Sequence, residues 1–191
     1  TGTLSTATGN VGIGKSTFTA LTSGDYNTGI GYNSLAALTT GVTNVAIGKD
    51  ALDSLTTGSS NVSIGSDSLQ GNITGASNTA VGTQALKSNT ASNNTAVGQS
   101  ALEANTSGNE NVAVGKDSIK ANTTGTGNTG LGYRTLETVI TGTDNTAVGG
   151  YALLVNTGNS NTATGYKSLY TNTSAANNTA VGFKSLYANT T

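Results

Sequence analysis

The segment GNVGIGKS, Gly9 to Ser16, satisfies the phosphate-loop pattern G-x-x-x-x-G-K-[ST]. Such a loop grips phosphates only when a buried strand precedes it and a helix follows, its N-terminal N–H groups converging on the anion. No helix-period segment follows Ser16, and the equivalent stretch reads G-K-D at Gly48 and Gly115 and G-Y-N at Gly31. The expectation is a structural corner that binds no nucleotide. Asp50, Asp67 and Asp117 fall at equivalent places, and stacked carboxylates are one route to calcium. The glycine- and aspartate-dense loops of calcium-binding rolls are missing, so solvated turns and no metal are expected. Two acids suffice for glycoside hydrolysis, but no cleft-forming insertion accompanies these. With no His and no Cys, the usual base, thiolate and metal ligands are absent. No catalytic residue, cofactor or enzymatic activity is expected.

Aromatic side chains are a different matter. Tyr133, Tyr166, Tyr170, Phe183 and Tyr187 crowd into the last third of the chain, with Tyr151 one place out of step. Exposed rings can grip sugar faces, so these five are the candidate glycan contacts. The competing reading is that the rings stack on one another and stiffen the chain. N-x-S/T sequons such as Asn105-Thr106-Ser107 and Asn122-Thr123-Thr124 fall out of the repetition and need not signal glycosylation.

What positions all of these is a repeat. The segment N-[TV]-[AGS]-[VIL]-G begins at Asn10, Asn27, Asn44, Asn61, Asn78, Asn94, Asn111, Asn128, Asn145, Asn161 and Asn178, with Thr164 in the aliphatic place of the tenth copy. The eleven units are 17 residues apart, shortened to 16 from Asn78 to Asn94 and from Asn145 to Asn161. The shortening falls at Asn89 to Asn93 and at Asn156 to Ser160, which marks that stretch as the tolerant loop. Counting slots from each Asn, slot 3 is Gly, Ala or Ser, slot 5 is Gly, slot 8 is small, and slot 9 is apolar from Phe18 to Leu186. Slots 13 to 15 usually carry turn residues such as T-T-G.

This period is too short for any two-helix repeat. Val, Ile or Thr at slots 2 and 4 around a small slot 3 is the period-2 signature of a strand. A second strand is expected over slots 7 to 10, and slots 4 and 9 are expected inside. Together these describe an all-β parallel solenoid of eleven coils forming a single repeat domain over residues 1–191, with 1–9 as a leading partial coil. At strand spacing it spans roughly 50 Å. Asn at slot 1, and at slot 12 where present, should stack on itself from coil to coil, each amide donating to the next.

Composition bounds the partners. Charged residues are 9% of the chain and the net charge is −1, so neither nucleic acid nor an anionic membrane surface is expected as a partner. No apolar run approaches a membrane span and no signal-peptide pattern is present, so no membrane insertion is expected. The first residue is Thr, which suits a segment of something longer. Three or four apolar side chains per coil do not offset the entropy of ordering 17 residues, so a further interface is expected. Slot 3, placed opposite slots 2 and 4, is the expected contact face of a homo-oligomer.

Units such as NTAVGQSALEANTSGNE (Asn94 to Glu110) and NTATGYKSLYTNTSAAN (Asn161 to Asn177) resemble a repeat of bacteriophage and large-virus tail-fibre proteins, many of which end in a self-cleaving chaperone-of-endosialidase domain. NVAIG at Asn44 and NVAVG at Asn111 resemble the shorter head repeat of trimeric autotransporter adhesins. The resemblance covers residues 10 to 191 and implies a left-handed parallel β-roll wound as a homotrimer. It also implies an extracellular place, on a virion fibre or a bacterial surface, with a shaft or head role. Nothing in the chain matches the chaperone domain, an anchor barrel or a coiled-coil stalk. The alternative from another class is an ice- or crystal-binding solenoid, since Thr28, Thr79, Thr95, Thr129, Thr146, Thr162 and Thr179 share slot 2. Val11, Val45, Val62 and Val112 in the same slot point instead to an inward position.

Overall fold

The structure is a computed structural model describing residues 6–189; part of the expected leading partial coil, 1–5, lies outside that range. One three-residue strand opens each unit, at slots 2 to 4. They are β1 (Val11–Ile13), β2 (Thr28–Ile30), β3 (Val45–Ile47), β4 (Val62–Ile64), β5 (Thr79–Val81), β6 (Thr95–Val97), β7 (Val112–Val114), β8 (Thr129–Leu131) and β9 (Thr146–Val148). The last coils add β10 (Val155–Asn156), β11 (Thr162–Thr164), β12 (Thr171–Asn172), β13 (Thr179–Val181) and β14 (Ala188–Asn189). β1 to β9, β11 and β13 form one parallel sheet in chain order, and β10, β12 and β14 form a second. Pairing is slot on slot, Val45 with Val62 and Ile47 with Ile64, for example. The chain is therefore an all-β parallel solenoid, and among the described residues it contains no helix.

The strand faces are the reverse of the sequence expectation. Slot 3 points into the coil: Ala46, Ala80, Ala96, Ala113, Ala147 and Ala163 are fully buried. Slots 2 and 4 point out, leaving Ile13 60%, Ile64 37%, Leu131 48% and Val181 70% exposed. The reason is crowding across the coil, where slot 3 abuts slots 8 and 9. A Cβ on Gly130 would lie 2.6 Å from Ser118 Oγ, 2.7 Å from Thr135 Oγ1 and 2.8 Å from Ile119 Cγ1. Where slot 3 is Ser63, its hydroxyl is hydrogen-bonded to Ser68 at slot 8. Slot 3 is thus no contact face, slot 4 is not core, and slot 2 is not inward. Slot 9 is inside as expected, with Leu35, Leu52, Leu69, Leu86, Leu102, Ile119, Leu136, Leu153 and Leu169 fully buried.

The second strand expected over slots 7 to 10 is a turn instead. Its backbone alternates hand, with positive φ at slot 7 (Asn33, 55°) and again at slot 9 (Leu35, 51°) in every coil. Left-handed backbone costs a non-glycine residue about 1–2 kcal/mol. The offset is hydrogen bonding in both axial directions. The Asn33 N–H donates back to Lys15 O at 3.0 Å, and the Leu35 N–H donates forward to Ala51 O at 3.1 Å. Among the described residues, regular strand at the second side is confined to slots 11 and 12 of the last three coils. Glycine at slot 5 is obligatory: Gly31 has φ 140°, and a Cβ there would sit 2.3 Å from Gly48 O.

Two amide columns run through the interior. At slot 1 each backbone N–H donates to Oδ1 of the preceding Asn; Asn44 does so at 2.9 Å, and its Nδ2 adds a bond at 3.0 Å. The backbone step continues from Asn10 to Asn178. At the short fifth unit the Asn94 amide turns instead to Asn89 Oδ1, 3.3 Å away. At slot 12, Asn105 donates to Asn89 and Asn122 to Asn105, both at 2.7 Å. A second run joins Asn172 to Asn156 and Asn189 to Asn172. Between them stands Val139, and Asn122 Oδ1 is left buried without a hydrogen-bond partner.

Candidate functional site

The tight turn after each slot-5 glycine projects slots 6, 7 and 10 from one side of the solenoid, away from the strand sheet. All eight Lys and Arg residues occupy these slots. In the seventh and eighth coils, slots 7 and 10 carry ion pairs three residues apart. Lys120 Nζ lies 3.3 Å from Asp117, and Arg134 Nε bonds Glu137. Glu137 accordingly raises the Arg134 pKa, and Asp117 that of Lys120.

In the tenth and eleventh coils the same geometry carries a lysine and a tyrosine. Lys167 Nζ lies 5.4 Å from the Tyr166 ring centre, 5.2 Å from Tyr170 and 5.6 Å from Tyr151. Lys184 Nζ lies 5.3 Å from Phe183 and 5.9 Å from Tyr187. Neither lysine makes a salt bridge among the described residues. Each ammonium is flanked by a slot-6 ring and a slot-10 ring, at cation–π distance from both.

The rings also meet each other. Tyr166 and Phe183 stack at 5.8 Å and 13°, and Tyr170 and Tyr187 at 5.0 Å and 4°. Tyr151 stands edge-on to Tyr133 at 5.2 Å and to Tyr166 at 5.9 Å. It reaches both because its neighbour in slot 6 is Gly150, which puts no side chain in the way. The five rings singled out from the sequence therefore form one patch, with Phe183 the most open at 71% exposed. Tyr151, Arg134, Lys167 and Lys184 belong to it as well. The sequence carries a trace of them, aromatic residues in place of the slot-10 acid three places after a slot-7 cation, but it gains meaning only once slots 6, 7 and 10 are seen to share a side.

The other candidates sit elsewhere. Gly9 to Ser16 contributes β1 and the turn after it; Lys15 is exposed, and the residues that follow continue the turn rather than a helix. Asp50 accepts from Asn33 Nδ2 at 3.0 Å and is paired with Lys49, which holds its carboxyl below the usual range. Among the described residues no group of three or more acidic side chains gathers as a metal cage. Among the described residues no helix is long and apolar enough to cross a membrane. Asp53 at slot 10 is half-buried, and burial pushes its carboxyl pKa up. Compared with protein-family models, with curated proteins and with solved structures, the chain matches none, so its function has to be argued from the geometry.

Proposed function

We propose that this chain is a structural segment, shaft or head, of an extracellular homotrimeric fibre, on a virion or a bacterial surface. The observation that carries the reading is the outward strand face. Slot 4 lines up Ile13, Ile30, Ile47, Ile64, Val81, Val97, Val114, Leu131, Val148, Thr164 and Val181 in register, all at least partly exposed on the single chain. An apolar row of this length, broken only at Thr164, is on a lone chain a surface that calls for cover. Copies of the same chain supply it at matched spacing, because their rungs share one repeat. The tail-fibre and adhesin resemblance supports the trimer and the extracellular setting. The fibre's work is mechanical: stacked coils hold a binding end away from its support, and Tyr133, Tyr166, Tyr170, Phe183 and Tyr187 offer a lateral contact to surface glycans. No catalytic step is assigned to any residue.

The experiment is sedimentation equilibrium at micromolar concentration. The expected result is a trimer, converted to monomer by the paired change Ile64→Lys and Val97→Lys, which places charges on the outward row without touching the core. A folded monomer for the unmodified chain overturns the reading.

A second reading has one specific observation behind it. The slot-2 threonines face outward, not inward, and Thr28, Thr79, Thr95, Thr129, Thr146 and Thr162 make no hydrogen bond through their hydroxyls among the described residues. Outward hydroxyls at one register place of the parallel sheet, densest from Thr129 to Thr179, favour an ice- or crystal-binding solenoid. Thermal hysteresis by a monomeric form would select it over the fibre.

A further inference from the structure

The geometry points to an anionic glycan, one bearing sulfate or carboxylate groups, as the ligand of the aromatic patch. This rests on the glycan-contact part of the reading above and specifies its chemistry. A neutral sugar is gripped by lying on a free ring face. Here most faces are already occupied: Tyr166 by Phe183, Tyr170 by Tyr187, and all four by the ammonium groups of Lys167 and Lys184. Between the stacked rings the patch turns outward ring edge and ammonium, with Phe183 the most open ring at 71% exposed. Ring edges carry the positive end of the aromatic quadrupole, so both components favour negative charge.

The change in slot 10 makes the case specific. Coils seven and eight neutralise their slot-7 or slot-10 cation with a carboxylate three residues away. Coils ten and eleven put Tyr170 and Tyr187 where that partner would be, and after Asp144 the sequence has no acidic residue at all. Two lysines on adjacent coils are thus held in place by rings and left uncompensated. An ammonium contacting a ring on one side keeps N–H donors for a charged oxygen on the other. The tyrosine hydroxyls at slots 6 and 10 add donors and acceptors suited to sugar hydroxyls.

The test uses the whole chain in its assembled form, with dextran sulfate, neutral dextran and poly-glutamate as probes in a surface-binding assay. Dextran sulfate is expected to bind and neutral dextran not to. The double variant Lys167→Gln, Lys184→Gln is expected to weaken dextran sulfate binding by about tenfold or more, the scale of losing charge-assisted hydrogen bonds. Gln84 already occupies slot 7 with a φ of 60°, so glutamine fits the backbone there. The double variant Lys15→Gln, Lys87→Gln removes the same charge elsewhere on the same side and is expected to leave binding intact. Five results overturn the proposal: no binding of dextran sulfate, equal binding of neutral dextran, equal binding of poly-glutamate, unchanged binding by the Lys167/Lys184 variant, or an equal loss in the Lys15/Lys87 variant. Sedimentation of each variant reads the oligomer separately, so failure of the fibre reading and failure of the anionic ligand are distinguishable.

Discussion

Replacing Val139 with Asn should stabilise the protein, although it puts a polar side chain where an aliphatic one is fully buried. The argument starts from Asn122, whose Oδ1 is buried with no partner because the next slot-12 residue cannot donate. Asn105 shows what a ladder member gains. Its Nδ2 donates to Asn89 Oδ1 at 2.7 Å and to Gly108 O at 2.9 Å, and its Oδ1 accepts from Asn122 at 2.7 Å. Asparagine at 139 has the same three partners in place: Asn122 Oδ1, Gly142 O and the Nδ2 of Asn156. Three bonds contribute about 3 kcal/mol net, and ending the isolation of a buried acceptor adds about 1 kcal/mol or more. Giving up the buried valine costs about 2 kcal/mol. The balance is a gain of about 2 kcal/mol. For a chain of this size that is a rise in Tm of about 4–8 °C. Thermal unfolding followed by far-UV circular dichroism, at one fixed protomer concentration, measures it. Asn105→Ala is the opposing control, expected to lose about 3 kcal/mol as three bonds go and a cavity opens. A Val139→Asn protein that melts at or below the parent temperature, beside a destabilised Asn105→Ala, would refute the claim that the interruption at Val139 is a defect.

Two further outcomes follow from the core and from charge. Leu102→Asp puts an unpaired carboxylate at a fully buried slot 9 and should cost several kcal/mol, read as loss of the far-UV spectrum or a collapse of Tm; unchanged melting would remove slot 9 from the core. Asp53, whose pKa burial raises, is penalised when ionised in the folded state, so Asp53→Asn should stabilise the chain at neutral pH. Because the folded pKa lies above the unfolded one, that advantage should shrink as pH falls through the folded value and vanish below the unfolded one. A gain that is constant between neutral and acidic pH would show that charge is not its source.

The period, the slot-1 amide column, the slot-5 glycine and the inward Leu of slot 9 were all legible in the sequence. Each follows from one residue type recurring at one place. The orientation of the strand was not. Small-between-large alternation has two solutions, and the usual preference for burying Val and Ile selects the wrong one. What decides it is distant in the unit: slots 8 and 9 fill the space that slot 3 faces, so that Gly130 stands beside Thr135 and Ile119. The turn at slots 7 to 9 was hidden for another reason. Leu and Ile rarely take positive φ, and Ile119 at 50° has nothing in its own chemistry to announce it. The aromatic patch was half legible, since the rings cluster visibly while the lysines between them matter only once slots 6, 7 and 10 are known to share a side.

The amide column of slot 1 also has a direction. At every step the earlier coil offers the oxygen and the later coil brings the N–H, from Asn10 through Asn178. The aligned amides polarise one another, so each added rung strengthens the acceptor presented to the next. A ribosome releases the N-terminal coil first, with its Asn oxygen waiting and its strand edge open. Each following unit closes a loop of the same modest length to reach that edge, so the entropic toll is alike at every step. The finished part of the chain is in this way a template for the part still being made, and the solenoid is read out in the order in which it is translated.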